Sequence, residues 1–128
     1  MRCVLDASAV LAMLNDEPGG ERAAVAIDSS VISAVNLAEV AAALVRRGNS
    51  ASQARAILEA LALTVVPVDE AMAIEAGLMR QITDRAGLSL ADRFCLVLSR
   101  RLSSPALTTD RDWASVASDV GVVVEVIR

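Results

Sequence analysis

Short apolar runs punctuate this chain at residues 2–5 (RCVL), 29–34 (SSVISA), 64–68 (TVVPV), 105–109 (PALTT) and 121–127 (GVVVEVI), and the stretches between them have helical spacing. That alternation constrains the fold more than any other feature. Runs this short, with little polar alternation, suit strands buried on both faces, and the helical stretches supply the crossovers that parallel strands require. The pattern predicts an α/β fold with a central parallel sheet of about five strands, flanked by helices on both sides.

The helical stretches carry their own punctuation. ASAVLAMLN reads as a helix ending near the EPGG turn, and a second helix is expected around Glu21 to Ile27. NLAEVAAALVRRGN gives a helix with Asn36 as its N-cap and Gly48 as its stop. SASQARAILEALA opens on a Ser50 to Gln53 capping box. Pro67 directs the strand TVVPV to an edge of the sheet. One long helix is expected from Glu70 to Asp84, another from Leu90, and a short one from Arg111.

Composition narrows the chemistry. The 128 residues suit one domain, 1–128. The chain is 55% hydrophobic, yet no uninterrupted apolar stretch approaches the roughly 18 residues of a membrane span. MRCVLDASAVLAML imitates a secretory signal until Asp6 interrupts it, so a cytoplasmic protein without a membrane partner is expected. Cys3 and Cys95 each lie in an apolar pattern, as buried reduced thiols do. There is no His, no Lys and no Tyr, and all 12 basic residues are Arg. This excludes a Ser-His-Asp triad, a Cys-His pair, a His-ligated zinc and a catalytic or P-loop lysine. Only carboxylates remain as general bases. The net charge of −4 means that a nucleic acid would bind through a local arginine patch and not through the whole-molecule field.

In open parallel sheets, ligands sit beyond the carboxyl ends of the strands, where the strand order reverses. Asp6 directly follows the first strand, Asp110 follows the fourth, and Glu39 lies in the first turn of the helix after the second. In LSLADRFCLVLS, a helical wheel puts Leu90, Ala91, Phe94, Cys95, Val97 and Leu98 toward the core, with Arg93 and Arg100 toward solvent and Asp92 at the edge of the core arc. Each acid alone has a structural explanation. Asp6 and Asp110 suit helix N-caps, Asn36 with Glu39 suits a capping box, and Asp92 suits a first turn capped by Ser89. Together they raise a cost, because carboxylates about 4 Å apart repel by roughly 4 kcal/mol per pair at an effective dielectric of 20. A hard divalent cation such as Mg²⁺ or Mn²⁺ removes that cost, and metal-assisted phosphodiester hydrolysis is then open to a site lacking His and Lys.

VLDASAVLAML, NLAEV, GLSLADRFCLVLS and LTTDRDW, in that order and spacing, resemble the PIN-domain ribonucleases, specifically the VapC-type toxins of toxin-antitoxin pairs, across essentially the whole chain. The resemblance implies a PIN-like three-layer fold with sheet order 3-2-1-4-5 and a Mg²⁺- or Mn²⁺-dependent endoribonuclease acting on RNA. It also implies a homodimer and a small cognate antitoxin. The family's acidic quartet falls on Asp6, Glu39, Asp92 and Asp110, with Asp6 and Asp92 as metal ligands and Glu39 as a water-orienting or second-metal group. Ser8 and Thr108 fall where the family places small hydroxyl residues in support.

Two departures stand out: RRLSSPAL replaces a loop that often carries Gly in the family, and Asp112 competes with Asp110 for the fourth place. Arg93 is a candidate for phosphate contact or for bracing an acid, whereas Arg46–Arg47 and Arg100–Arg101 suit solvated helix ends. Trp113 is expected to be a packing residue. Two other functions compete: a non-catalytic interaction module on the same fold, and a Mg²⁺-dependent phosphatase. The second of these usually needs an Asp where Ser8 stands and a lysine the chain lacks.

Overall fold

The computed structural model describes residues 2–128. β1 (Val4–Leu5) runs through the middle of a parallel sheet, between β2 (Val31–Ser33) and β4 (Ala106–Thr108). β3 (Thr64–Val66) and β5 (Val124–Val126) form the edges, so the order is β3-β2-β1-β4-β5, as the resemblance implied. Pro67 accordingly follows an edge strand, where its missing N–H costs no ladder bond.

Strand register sorts side chains into two cores. Val4, Val31 and Ala106 lie side by side in the ladder and share one face of the sheet with α5 (Glu70–Leu78) and α7 (Leu90–Leu102). Leu5, Ile32 and Leu107 point the other way, toward α1 (Ala7–Leu14), α2 (Gly20–Ala26), α3 (Ala34–Arg46) and α4 (Ala51–Leu61). Both faces are therefore covered, the condition under which an all-parallel sheet is stable. The chain leaves β1 toward β2 and β3, then crosses back to β4 and β5. The switch in direction falls at β1, with Asp6 at its carboxyl end.

Local signals mostly act as expected. Ser50 accepts from the Gln53 N–H at 3.1 Å while Gln53 accepts from the Ser50 N–H at 2.8 Å, closing the capping box of α4. α3 differs: its N-cap is Ser33, which accepts from the Asn36 N–H at 3.1 Å. Asn36 is thus inside the helix, Glu39 is in its second turn, and no Asn36–Glu39 capping box forms. Ser33 ends β2 with extended backbone, and this lets the helix start at once.

The expected helix from Glu70 to Asp84 is broken. α5 stops at Leu78, α6 (Arg80–Thr83) follows after Met79, and a 3-10 turn (Asp84–Ala86) runs to Gly87 in the left-handed region. Thr83 is fully buried and its hydroxyl donates to the Met79 carbonyl at 3.2 Å, a back-bond that bends helices. α8 (Ala117–Val120) and a 3-10 turn (Arg111–Ser115) precede β5. Cys3 and Cys95 are buried and free. Among the described residues, no helix is long and apolar enough to cross a membrane.

Candidate active site

A cavity of about 360 Å³ opens at the carboxyl end of the sheet, and Asp6, Glu39, Asp92 and Asp110 all line it. Each comes from a different segment: the end of β1, the second turn of α3, the first turn of α7 and the loop after β4. The convergence follows from topology, since β1 and β4 are neighbours and α3 and α7 pack against each other above them.

Asp6 is the most deeply set, at 5% exposure. It occupies the N-cap position of α1 but its side chain makes no capping bond. Its Oδ2 instead accepts from the Ser8 hydroxyl at 2.6 Å and from the Thr108 hydroxyl at 2.9 Å. Thr108 Oγ1 in turn accepts from the Asp110 N–H at 3.1 Å, and Ser8 Oγ accepts from the Thr109 N–H at 3.0 Å. The two hydroxyls tie the end of β1 to the loop after β4. Burial pushes the Asp6 carboxyl up to about 6, and the nearby Asp92 and Glu39 carboxylates add to the shift. The Ser8 and Thr108 hydroxyls oppose it.

The other acids are anchored in the same manner. Asn36 Nδ2 donates both to Glu39 Oε1 at 3.0 Å and to the Ala91 carbonyl at 3.0 Å, so one buried amide joins α3 to the start of α7. Ser33 Oγ donates to Asn36 Oδ1 at 2.5 Å and fixes the amide's orientation. Burial raises the Glu39 carboxyl, with Asp92 contributing. Asp92 is half of a capping box: its Oδ2 accepts from the Ser89 N–H at 2.8 Å, while Ser89 Oγ accepts from the Asp92 N–H at 3.2 Å. The first-turn explanation for Asp92 is therefore correct and still leaves it facing the cavity. Burial raises its pKa too, and Asp110 adds to the rise. Asp110 caps the following 3-10 turn through Oδ1, accepting from the Asp112 N–H at 2.9 Å.

One pattern unites the four. Each carboxylate has one oxygen held by a protein donor, and the second oxygen has no partner among the described residues. None of the four takes part in an ion pair among the described residues. Such a donor set, all oxygen and outside any ion pair, fits a hard cation. Among the described residues no three His, Cys, Asp or Glu side chains are drawn together tightly enough to hold a metal ion unaided. A hard ion that keeps several waters and takes few carboxylates directly is compatible with that spacing.

The supporting residues divide. Ser8 lines the cavity and Thr108 lies beneath it, fully buried. Asp112 is exposed and does not line the cavity, since the 3-10 turn beginning at Arg111 carries its side chain outward. Arg93 corrects the expectation of a solvent-facing phosphate contact, while its charge opposes the burial-driven rise in the pKa of Asp92, in keeping with the alternative role of bracing an acid. It is 7% exposed, its Nη1 donates to the Leu88 carbonyl at 3.4 Å, and its Nε has no partner among the described residues. Residues 93–99 of α7 are all buried, because helices and sheet enclose that stretch and leave it no solvent face. Leu90, expected in the core, is 52% exposed, since it is the first helical residue after the loop. Trp113 is fully buried, as expected.

Arg46, expected at a solvated helix end, is a site residue. Among the described residues it is the one basic side chain lining the cavity, two turns after Glu39 on the same face of α3. The signal was present as the spacing between Glu39 and Arg46, but a basic pair at a helix end is most often explained by the helix dipole.

Comparison with known proteins agrees with this architecture. The family model for the PIN domain matches residues 3–119. A chain of the VapBC-5 toxin-antitoxin system from Mycobacterium tuberculosis is 26% identical and superposes with a TM-score of 0.64, covering 99% of this chain and 98% of that one. A chain of DNA-bound VapBC from Salmonella typhimurium is 19% identical, with a TM-score of 0.72 and coverage of 98% and 97%. VapC20 from M. tuberculosis, described as a sarcin-ricin loop cleaving toxin, is 21% identical, with a TM-score of 0.71 and coverage of 88% and 93%. No curated protein matches the sequence. The chain belongs to the PIN domain family. The solved structures that it resembles include toxin-antitoxin proteins of the VapBC type.

Proposed function

We propose that this protein is a Mg²⁺- or Mn²⁺-dependent endoribonuclease, the toxin of a toxin-antitoxin pair, acting in the cytoplasm. The observation that carries the reading is the convergence of Asp6, Glu39, Asp92 and Asp110 on one cavity, each with an oxygen left uncommitted. Asp6 and Asp92 would hold the ion, with Asp110 beside them. When bound, the ion supplies neutralisation of phosphate charge and acidification of water.

The remaining chemistry falls to the chain. Ser8 and Thr108 hold Asp6 in one rotamer and favour its charged form. Asn36 fixes Glu39 at the cavity wall, where a carboxylate of raised pKa is suited to orient water and accept its proton. With no His or Lys in the chain, a carboxylate is the available general base.

The antitoxin reading draws support from a second, apolar groove of about 510 Å³ between α3 and α4, lined by Leu37, Ala41, Val45, Ala54 and Leu58. It suits one face of an amphipathic segment from a small partner. Exposed Ile74 and Leu78, one turn apart on α5, are consistent with a homodimer.

The test uses purified protein, free of antitoxin, with total RNA. Discrete cleavage that requires Mg²⁺ or Mn²⁺ and stops on adding EDTA supports the reading, and so does suppression by a small protein encoded directly upstream. RNA left intact under all these conditions contradicts it and favours a non-catalytic interaction module.

A further inference from the structure

The cavity's charge poses a problem for the proposed substrate. Four carboxylates line it, the chain carries a net −4, and a polyanion approaching this mouth is repelled unless a cation lies on its path. Arg46 is the basic residue in the lining.

Its surroundings separate it from its neighbour in the chain. Arg47 pairs with Glu17 at 3.6 Å. Arg46 is exposed and its side chain makes no ion pair or hydrogen bond among the described residues. Of the basic pair that ends α3, one member is tied to a carboxylate and the other is left over the cavity. Arg46 lies about two turns, or about 10 Å of helical rise, beyond Glu39. The lining between them is Ala42 and Ala43, whose small side chains leave a shallow trough along the helix.

We propose that Arg46 grips a backbone phosphate flanking the one that is cut, and so sets the direction in which an RNA strand crosses the site. This rests on the nuclease reading above. The separation from Glu39 places Arg46 beyond the reacting phosphate. A guanidinium suits the task, because its fork of N–H donors matches phosphate oxygens and it stays charged at any working pH. The residue binds and orients the strand, while the chemistry stays with the acids.

The experiment measures cleavage of a fluorescent oligoribonucleotide spanning a site that the wild-type protein cuts in total RNA, with Mg²⁺ present. Wild type is compared with Arg46→Ala, Arg46→Lys and Arg47→Ala over a series of KCl concentrations. Arg46→Ala should raise KM about tenfold with kcat changed less than about threefold, and should flatten the dependence of log KM on log salt by about 0.7, the contribution of one phosphate contact on a single strand. Arg46→Lys should recover most of the loss, and Arg47→Ala should match wild type. A purely structural role for Arg46 would lower the melting temperature without moving the salt slope. Wild-type KM and salt slope in Arg46→Ala would overturn the inference while leaving the nuclease reading intact. Absence of cleavage by the wild-type protein on any RNA would overturn that reading, and this inference with it.

Discussion

The Thr108 hydroxyl donates to Oδ2 of Asp6 at 2.9 Å, joining the last residue of β4 to the first residue beyond β1. This bond crosses the point where the strand order switches direction, and it holds the most deeply buried carboxylate of the site. Burial favours the neutral form of Asp6, whereas the hydroxyls of Thr108 and Ser8 favour the charged form that a metal ligand needs.

Thr108→Val removes one of those donors and also deprives the Asp110 N–H of its acceptor. The Asp6 pKa, already about 6, should rise further. A lost hydrogen bond to a charged group is worth about 1.5 kcal/mol, so the acid limb of the cleavage rate against pH should move upward by about one unit. Thr108→Ser should leave it in place. An acid limb unchanged in Thr108→Val would show that the hydroxyl does not govern Asp6.

The same burial predicts a stability cost. Asp6 titrates near 3.8 when unfolded and at about 6 when folded. Between those values the folded chain holds a proton that the unfolded chain has released, so metal-free stability falls as pH rises through that window and stays low above it. The loss amounts to roughly 3 kcal/mol for a shift of this size. Asp6→Asn keeps an oxygen for the two hydroxyls and avoids the buried charge. In EDTA at pH 7 it should be more stable than wild type by about 1–3 kcal/mol in urea unfolding, with the difference largely gone at pH 4. Equal stability at both values would contradict the assignment of the shift.

Asp110 and Asp112 are separated by their surroundings. Asp110 lines the cavity and contributes to the raised pKa of Asp92, whereas Asp112 is exposed on the turn beyond. Asp110→Asn should reduce kcat by about a hundredfold, in the range expected when a charged group that assists the transition state is removed, and Asp112→Asn by less than about threefold. Each substitution keeps a side-chain oxygen, so the turn itself should survive. The reverse order of effects would move the fourth acid to Asp112.

Much of this architecture was legible in the residues because the signals were local and redundant. The alternation of RCVL, SSVISA and PALTT with helical stretches specified the parallel sheet, and Ser50 with Gln53 marked the start of α4 before any contact was known. Where reading the residues fell short, tertiary context had intervened. A helical wheel presumes one wet face, but α7 is enclosed over residues 93–99, so Arg93 lies buried where periodicity put it in water. Asn36 resembled a cap and proved to be the amide that positions Glu39, because Ser33 could leave β2 and cap α3 in a single residue. The break after Leu78 falls at Met79, whose carbonyl accepts from the buried Thr83 hydroxyl, a contact that apolar periodicity does not register. The spacing of Asp6 and Asp92 along the chain carried no distance between them. Only the packing of α7 on β1, β2 and β4 brings them to one cavity.

The central claim is that Asp6 and Asp92 hold the ion on which RNA cleavage depends. The most direct measurement titrates Mn²⁺ into wild type, Asp6→Asn and Asp92→Asn, following the loss of the free-ion paramagnetic resonance signal, and assays RNA cleavage on the same samples. Both substitutions keep the hydrogen bonds that these side chains accept, so folding should be preserved. Mn²⁺ binding and cleavage should disappear together in each variant. Cleavage persisting at the wild-type rate in a variant that no longer binds Mn²⁺, or in wild type stripped of metal by EDTA, would contradict it.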